Sequence, residues 1–294
     1  MHNYYRAIGF GRGYLKPVLR NIINKAVEDY KQNNFDDSRG KLIEIFVHFD
    51  RSIGLAIHGE FNEKDEFEIE YTFPFLKPRH YSHYDDIMIE KNVSSYSFTG
   101  GCDNKNTGVT TIFYLQNALD YVNKKFPEKT SAPVGLSGLS LSGKIILPAK
   151  EYSEYKETYK KIRDDKSKMI EKAQKGDESA IENLTLDEMN LYSKISKRLE
   201  NEDVFSIVET SFMPFGMECD RYSIIGKITD IEININRVTR ERVYNLVMEC
   251  NDLMLNVAIN EDDLIGEPKI GRRFRGNIWL QGFVSFSSGK KKDL

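Results

Sequence analysis

The fold is decided by a stretch near the C-terminus, Tyr222-Ser-Ile-Ile-Gly-Lys-Ile-Thr-Asp-Ile-Glu-Ile-Asn-Ile235. Its β-branched residues predict one long strand, and Gly226 offers a point at which that strand bends. The other strands predicted here are Val204–Val208, Val243–Cys250, Leu253–Ile259 and Phe274–Phe286. Turn signals separate them and no long helical pattern remains, so residues 204–294 are predicted to form a small, OB-like β-barrel.

The N-terminal region mixes helical and strand patterns. Apolar residues three and four apart predict an amphipathic helix over Leu15–Tyr30. Runs rich in β-branched and aromatic residues predict strands over Leu42–Phe49, Ile53–Phe61 and Phe67–Phe75. Because the links between them are short, we expect an antiparallel meander.

Two further patterns complete this region. A second apolar stripe predicts a helix over Val109–Lys125, packed on the sheet. Small residues and three glycines alternate with apolar ones over Ser131–Leu147, which predicts a bent or bulged pair of strands. Residues 1–148 are therefore predicted to form an α+β domain with an antiparallel sheet.

The residues between these two regions differ in composition. Residues 149–203 are dominated by long charged helix formers, which is typical of a partly solvated helical connector. The predicted fold class is therefore α+β, with three parts: an α+β domain over 1–148, a charged helical connector over 149–203 and a β-barrel domain over 204–294.

Composition limits the classes of function. The 42 basic and 45 acidic residues give a net charge of −3, and no region is basic, which disfavours nucleic acid as a partner. Three widely spaced cysteines fit reduced thiols in a cytoplasmic protein. The sequence has no apolar run long enough to span a membrane and no signal peptide at its N-terminus.

One segment resembles two catalytic motifs without completing either. Gly138 to Lys144 matches the glycine and lysine spacing of a P-loop, but Ile145 replaces the hydroxyl that would hold Mg²⁺. Ser142 stands where a nucleophile elbow needs glycine, and all five histidines precede this segment. We therefore predict a glycine-containing strand here, with no catalytic residue and no cofactor.

The best metal candidate is the segment that contains His80, His83 and Asp85. Imidazole and carboxylate are the ligands that Zn²⁺ and Fe²⁺ use in proteins. Because Pro78 favours a loop, the sequence does not decide whether the three side chains converge. The alternative is an aromatic, polar surface loop.

The best binding candidate is a basic surface in the predicted barrel, formed by Arg272, Arg273, Arg275 and Trp279. If residues 274–284 form a strand, Trp279 shares the polar face with Arg273 and Arg275. Arginine beside an aromatic ring on such a face is typical of single-stranded nucleic-acid binding. The balanced charge instead favours contact with a protein or a small molecule.

Three stretches carry a resemblance to a known family: Met1–Phe10, Glu202–Gly216, and residues 266–282 with Gly266-Glu-Pro and Ile278-Trp-Leu-Gln-Gly. On these residues the chain resembles a bacterial family defined as a domain of unknown function. The likeness spans most of the chain. It implies no activity, ligand or catalytic residue.

Three functions remain open from the sequence, which does not decide whether the protein is an enzyme. The first is a cytoplasmic binding or protein-interaction protein without catalytic activity that uses the basic surface. The second is a metal-dependent hydrolase at His80, His83 and Asp85, in which the metal would activate water. The third is single-stranded nucleic-acid binding by the barrel.

Overall fold

The computed structural model describes residues 3–11, 15–33, 42–92, 97–104, 109–124, 129–148, 169, 172–173, 176–184, 186 and 208–286. The protein is mostly β, with a three-stranded sheet and a mixed ten-stranded sheet. Over these ranges, no helix combines the length and the hydropathy needed to cross a membrane.

The elements follow one another in a simple order. A 3-10 helix (Asn3–Ile8) precedes α1 (Leu15–Asn33). The small sheet contains β1 (Ile43–His48), β2 (Ile53–Phe61) and β3 (Phe67–Leu76). Next come β4 (Ser82–Lys91), β5 (Phe98–Asn104), β6 (Val109–Leu115), α2 (Ala118–Lys124) and β7 (Lys129–Ile146). The C-terminal elements are β8 (Ser211–Pro214), β9 (Arg221–Ile235), β10 (Arg242–Cys250), β11 (Leu253–Asn260), a 3-10 turn (Glu261–Asp263), β12 (Leu264–Ile265) and β13 (Arg273–Val284).

The N-terminal helix and meander are confirmed. β1, β2 and β3 pair antiparallel in sequence order, as their short links require. The α1 stripe buries Leu19 and Ile23 in the same hydrophobic cluster as Leu55 and Ile57 of β2. The spacing of apolar residues was therefore sufficient to predict both elements.

The helix predicted over Val109–Lys125 is wrong for its first half. Val109–Leu115 forms β6, and helix α2 begins only at Ala118. Thr111, Phe113 and Leu115 alternate inward, and each is at most 2% exposed. In a run this rich in β-branched and aromatic residues, the i, i+4 matches were accidental and the alternation of a strand prevailed.

The strand pair predicted over Ser131–Leu147 is also wrong, because β7 is a single strand of 18 residues. The glycines of β7 allow side chains of neighbouring strands to pack closely against its backbone. A Cβ at Gly138 would meet the Ile278 side chain, and a Cβ at Gly143 would meet the Phe274 ring. The P-loop-like segment therefore lies within a strand, as its sequence indicated, and the pairing of that strand with β13 shifts register between Gly276 and Ile278.

β7 lies at the centre of the large sheet. It pairs parallel with β11 and antiparallel with β13 and β4. Hydrogen-bonded neighbours lead from β9 through β10, β11, β7 and β13 back to β9. The predicted OB-like barrel of residues 204–294 is not confirmed, since this circuit includes a strand from the N-terminal region. The boundaries at residues 148 and 204 stay a prediction.

Most of the proposed connector, and most of the strand predicted over Val204–Val208, lie outside the described residues. Within the connector, residues 178–184 are helical, and the Asp177 carboxylate accepts a hydrogen bond from the Ala180 N–H at this helix's start. Val208 is described and is not in a strand.

Two hydrophobic clusters cover opposite faces of the large sheet. One contains Phe274, Ile278 and Leu280 of β13 together with residues of β4 to β11. The other contains Trp279 of β13 and is built from the 3-10 helix, α1 and the small sheet. The small sheet and the N-terminal segment therefore lie over part of the face that Trp279 shares with alternate residues of β13.

Candidate functional sites

Arg273 lies inside the protein and not on the predicted basic surface. It is 3% exposed, and its Nε and Nη2 donate to the Leu147 carbonyl at 2.8 and 2.6 Å. Its Nη1 donates to the Val208 carbonyl. Burial lowers the pKa of Arg273, and Glu209 opposes this effect. Arg273 thus joins the two chain segments on either side of residues 149–207, which is a structural role.

Trp279 is also buried, and the prediction that it lies on an exposed polar face is wrong. It is 3% exposed, and its Nε1–H donates to Asp220 Oδ2 at 2.7 Å. Its ring lies 5.4 Å from that of Tyr4 and 5.1 Å from that of Tyr114, between centroids. An indole enclosed in this way does not provide a stacking surface for a nucleic-acid base.

The remaining predicted residues of the basic surface are accessible. Arg272 is half-buried and donates from Nη1 to the Glu267 carbonyl at 2.9 Å. Arg275 is exposed and lies directly opposite Lys144 in the antiparallel pairing of β13 with β7. The structure therefore separates the four predicted residues into two interior ones and two surface ones.

The predicted metal ligands do not converge. His83 Nε2 lies 4.0 Å from Asp85 Oδ1 and 2.9 Å from Ser131 Oγ, and both His83 and Asp85 are exposed. His80 instead contributes to the low pKa of Asp230, mainly set by the backbone N–H of Ile231 and by Arg79. Among the described residues, no group of three His, Cys, Asp or Glu side chains is placed to hold a metal ion.

A cationic groove surrounds the Lys144–Arg275 pair. It has a volume of about 270 Å³, opens to solvent, and lies where β7, β9, β12 and β13 run side by side. We call it the Lys144–Arg275 groove. Its lining residues are Ser142, Gly143, Lys144, Ser223, Ile265, Arg275, Gly276 and Asn277. No carboxylate is among them.

Three polar side chains of this groove are available for hydrogen bonding. In the described part of the chain, Ser142, Ser223 and Asn277 make no side-chain hydrogen bond, and Lys144 makes no ion pair. Two cations facing each other across antiparallel strands repel. An anion between them would remove that repulsion and accept hydrogen bonds from the surrounding groups.

A second polar cluster, which the sequence did not predict, crosses the small sheet. Glu44, His58 and Tyr71 are direct cross-strand neighbours on β1, β2 and β3. The Tyr71 hydroxyl lies 2.6 Å from His58 Nδ1. Tyr114 on β6 approaches from the large sheet, and the Phe73 ring lies 4.8 Å from that of Tyr114 and 6.1 Å from that of Tyr71, between centroids. We call Glu44, His58, Tyr71 and Tyr114 the Glu44–Tyr114 row.

The imidazole at the centre of this row is fully buried. His58 Nε2 lies 2.8 Å from Glu44 Oε1, but the atoms are poorly aligned, and neither has a regular hydrogen-bond partner among the described residues. The contact is therefore an electrostatic attraction. With Nε2–H turned toward the carboxylate, Nδ1 is the acceptor for the Tyr71 hydroxyl.

Burial dominates the electrostatics around this row. Desolvation raises the pKa of Tyr71 and of Tyr114, so both phenols remain protonated. Desolvation also raises the pKa of Asp220, although the hydrogen bond from Trp279 opposes it. Ionisable groups perturbed together in this way are typical of functional sites, and they also occur in structural networks.

The register of a predicted hairpin was the signal that could have revealed this row. The strands predicted over Leu42–Phe49 and Ile53–Phe61 are joined by a short turn, which fixes their pairing. That pairing places Glu44 opposite His58, as observed. The approach of Tyr114 depends on how the small sheet packs on the large one, for which the sequence carries no local signal.

The described residues thus define a mostly β protein with one antiparallel and one mixed sheet, a cationic surface groove and a row of ionisable side chains around the buried His58. Comparison with family models identifies it further, because residues 5–282 match the family described as "Domain of unknown function, E. rectale Gene description (DUF3881)". The chain belongs to this family, named from a bacterium, which confirms the resemblance found in the sequence. Neither the curated proteins nor the solved structures contain a match to the chain.

Proposed function

We propose that the protein is a binding protein that holds a small anionic ligand in the Lys144–Arg275 groove. One observation carries the proposal: two cations face each other on an open sheet face, beside Ser142, Ser223 and Asn277, whose side chains have no hydrogen-bond partner in the described part of the protein. Arg275 is the predicted binding residue that this proposal retains. The ligand class is a phosphate or carboxylate group, which a guanidinium binds through two parallel hydrogen bonds.

The size of the groove favours a small molecule over a protein partner. A volume of about 270 Å³ accommodates a phosphate or a small carboxylic acid. A specific protein interface buries on the order of 1,000 Å² or more. Ile265, which is 66% exposed at the rim, offers an apolar contact for the rest of such a ligand.

We place this function in the cytoplasm. Cys102, Cys219 and Cys250 all lie in the described part and are free thiols, which fits a reducing compartment. The metal-dependent hydrolase and the nucleic-acid-binding protein stay predictions from the sequence. Among the described residues, no three of the metal-ligating side chains are grouped to hold an ion, and Trp279 is enclosed, so neither function gains support there.

Calorimetric titration with inorganic phosphate, pyrophosphate and citrate tests the proposal. We expect saturable binding of at least one anion by the native protein, and its loss in the double variant Lys144→Gln/Arg275→Gln. The matched control is Lys64→Gln/Arg237→Gln, which removes the same charge from exposed turns at the far ends of β2 and β9. Equal affinity in all three proteins, or no saturable binding by the native one, would overturn the proposal.

A further inference from the structure

Oxidisable aromatic side chains form a continuous path from the N-terminal 3-10 helix to the Glu44–Tyr114 row. The path joins Tyr4 to Trp279 at 5.4 Å and Trp279 to Tyr114 at 5.1 Å, between ring centroids. The Phe73 ring then lies between Tyr114 and Tyr71, 4.8 Å from the ring of Tyr114 and 6.1 Å from that of Tyr71, between centroids. Trp279 is the single tryptophan of the chain. Electrons move readily between aromatic rings this close together.

Two oxidisable groups on the path, Trp279 and Tyr71, have a proton acceptor. The Trp279 Nε1–H donates to Asp220 Oδ2 at 2.7 Å, and the Tyr71 hydroxyl lies 2.6 Å from His58 Nδ1. Loss of an electron makes a phenol strongly acidic, so oxidation is easiest where a base is already hydrogen-bonded to it. Tyr222 provides a contrast, since its buried hydroxyl bonds only the backbone of Ile112.

Glu44 provides the negative charge that allows His58 to act as the proton acceptor. A proton received at Nδ1 makes His58 an imidazolium, whose charge would be costly in a fully buried position. Glu44 Oε1, 2.8 Å from Nε2, supplies the compensating negative charge. The arrangement is therefore suited to hold the positive charge that His58 gains when it accepts the Tyr71 proton.

We propose that the Glu44–Tyr114 row and Trp279 form a proton-coupled electron-transfer site that ends at Tyr71. A one-electron oxidant, of the class of small inorganic or peroxide-derived radicals, takes one electron from Trp279. One electron then passes from Tyr71 through Tyr114 to Trp279, and the Tyr71 hydroxyl proton moves to His58 Nδ1. The products are a neutral tyrosyl radical at Tyr71, an imidazolium at His58 and reduced Trp279. A thiol or ascorbate returns one electron, and the proton goes back to Tyr71.

This activity is independent of the Lys144–Arg275 groove. It needs no opening to solvent at Tyr71, because only an electron has to reach the interior and the proton moves between adjacent atoms. Arg221 lies 5.9 Å from the ring centroid of Tyr4 and is only half-buried, so this end of the path is the one nearer the surface. The expected consequence is that oxidation is held reversibly at one half-buried tyrosine.

Pulse radiolysis with the azide radical, which oxidises indole side chains, tests the proposal. In the native protein we expect the optical band of the tryptophanyl radical to decay into that of a long-lived tyrosyl radical. Electron paramagnetic resonance of frozen samples should then report one tyrosine site. Deuterated solvent should slow the conversion, since a proton moves in the same step; a purely structural hydrogen bond would give no such effect.

The variants are chosen to preserve the fold. Tyr71→Phe removes one oxygen and should abolish the long-lived tyrosyl signal, whereas Glu44→Gln should shorten its lifetime. The matched control is Tyr222→Phe, which removes the hydroxyl of a tyrosine that is buried but lacks a histidine and should leave the signal unchanged. An unchanged long-lived signal in Tyr71→Phe, or a tryptophanyl radical in the native protein that decays without any tyrosyl signal, would overturn the proposal.

Discussion

The two halves of strand β13 show the same alternation of side chains with opposite outcomes. Arg275 and Asn277, near its start, are exposed beside the Lys144–Arg275 groove. Trp279 and Gln281 occupy the next alternate positions and are at most 3% exposed, because the small sheet and the N-terminal segment cover them. Alternation in a sequence thus indicates which residues share a face of a sheet, but not what covers that face.

The largest loss of stability should come from a substitution in the covered half of β13. Trp279→Ala removes an indole from the second hydrophobic cluster and leaves Asp220 without its donor, so we expect a loss of about 3–5 kcal/mol in the free energy of unfolding. Asn277→Ala, two residues earlier, should change it by no more than about 0.5 kcal/mol. Equilibrium urea unfolding measures both. Similar losses for the two variants would contradict the assignment of a covered and an open half.

The same comparison explains how much of the fold the sequence could predict. α1, β1 to β3 and β9 to β11 were predicted within a few residues, because each carries its own periodicity. The pairing of β7 with β11 and β13 was not, since it joins segments far apart in the chain. The basic surface failed for the same reason: Arg273 and Trp279 are buried by distant segments.

The candidate sites also differ in how far the sequence alone could predict their residues. Arg275 was predicted from its exposed position on a strand, but its partner Lys144 was attributed to an incomplete P-loop and not to a site. The part of the Glu44–Tyr114 row from Glu44 to Tyr71 follows from the register of neighbouring strands, which the sequence was sufficient to predict. Tyr114 and Asp220 join it only through packing between sheets.

A second, smaller effect is expected at Gln281, the other covered residue. Its Oε1 accepts from Gln116 Nε2 at 2.9 Å, and its Nε2 donates to the Pro74 carbonyl at 2.8 Å, which ties β13 to the end of β3. Gln281→Met would take this donor from the Pro74 carbonyl and one acceptor from Gln116 Nε2, which keeps the Leu76 carbonyl and Ser137 Oγ as acceptors. We expect a cost of about 1–3 kcal/mol, measured by urea unfolding.

A double-mutant cycle distinguishes the stability that comes from the Gln116–Gln281 hydrogen bond from the stability that comes from packing. Gln116→Met removes the partner donor, so the double variant Gln116→Met/Gln281→Met should lose less stability than the sum of the two single variants. Simple addition of the two losses would mean that the amides act independently of each other.

The covered half should also respond to pH through Asp220. Burial raises its pKa above the ordinary 3.8, so the folded protein takes up this proton at a higher pH than the unfolded chain does. The resulting stability is fully present below the unfolded pKa and is lost as the pH rises through the folded pKa. Relative to Asp220→Asn, the native protein should therefore become less stable from acid toward neutral pH, as measured by urea unfolding across that range.

Asp230 provides a control, because its pKa is shifted in the direction opposite to that of Asp220. The backbone N–H of Ile231 and the side chain of Arg79 lower its pKa, so its contribution is present above the unfolded pKa and is lost as the pH falls through the lowered value. Relative to Asp230→Asn, the native protein should gain stability from acid toward neutral pH. Parallel trends for the two variants would rule out the assignment of Asp220 to a desolvated environment.

The smallest change in the free energy of unfolding is expected in the open half of β13, and it should be an increase. Lys144 and Arg275 face each other across antiparallel strands, so Lys144→Met should raise the free energy of unfolding by about 0.2–1 kcal/mol in the absence of ligand. The gain should shrink as salt is added, because both groups are exposed and screened. Thermal and urea unfolding at low and high salt measure it.

The variant Arg275→Met tests whether this gain in stability comes from relief of the repulsion between the two cations. In an Arg275→Met background the repulsion is already gone, so Lys144→Met should have no further effect, whereas an intrinsic preference of the strand for methionine would persist there. Lys64→Met, in an exposed turn, should leave stability unchanged in both backgrounds. A loss of stability in Lys144→Met would mean that the two cations contribute to the fold itself, and the argument that their repulsion is relieved by an anion would fail.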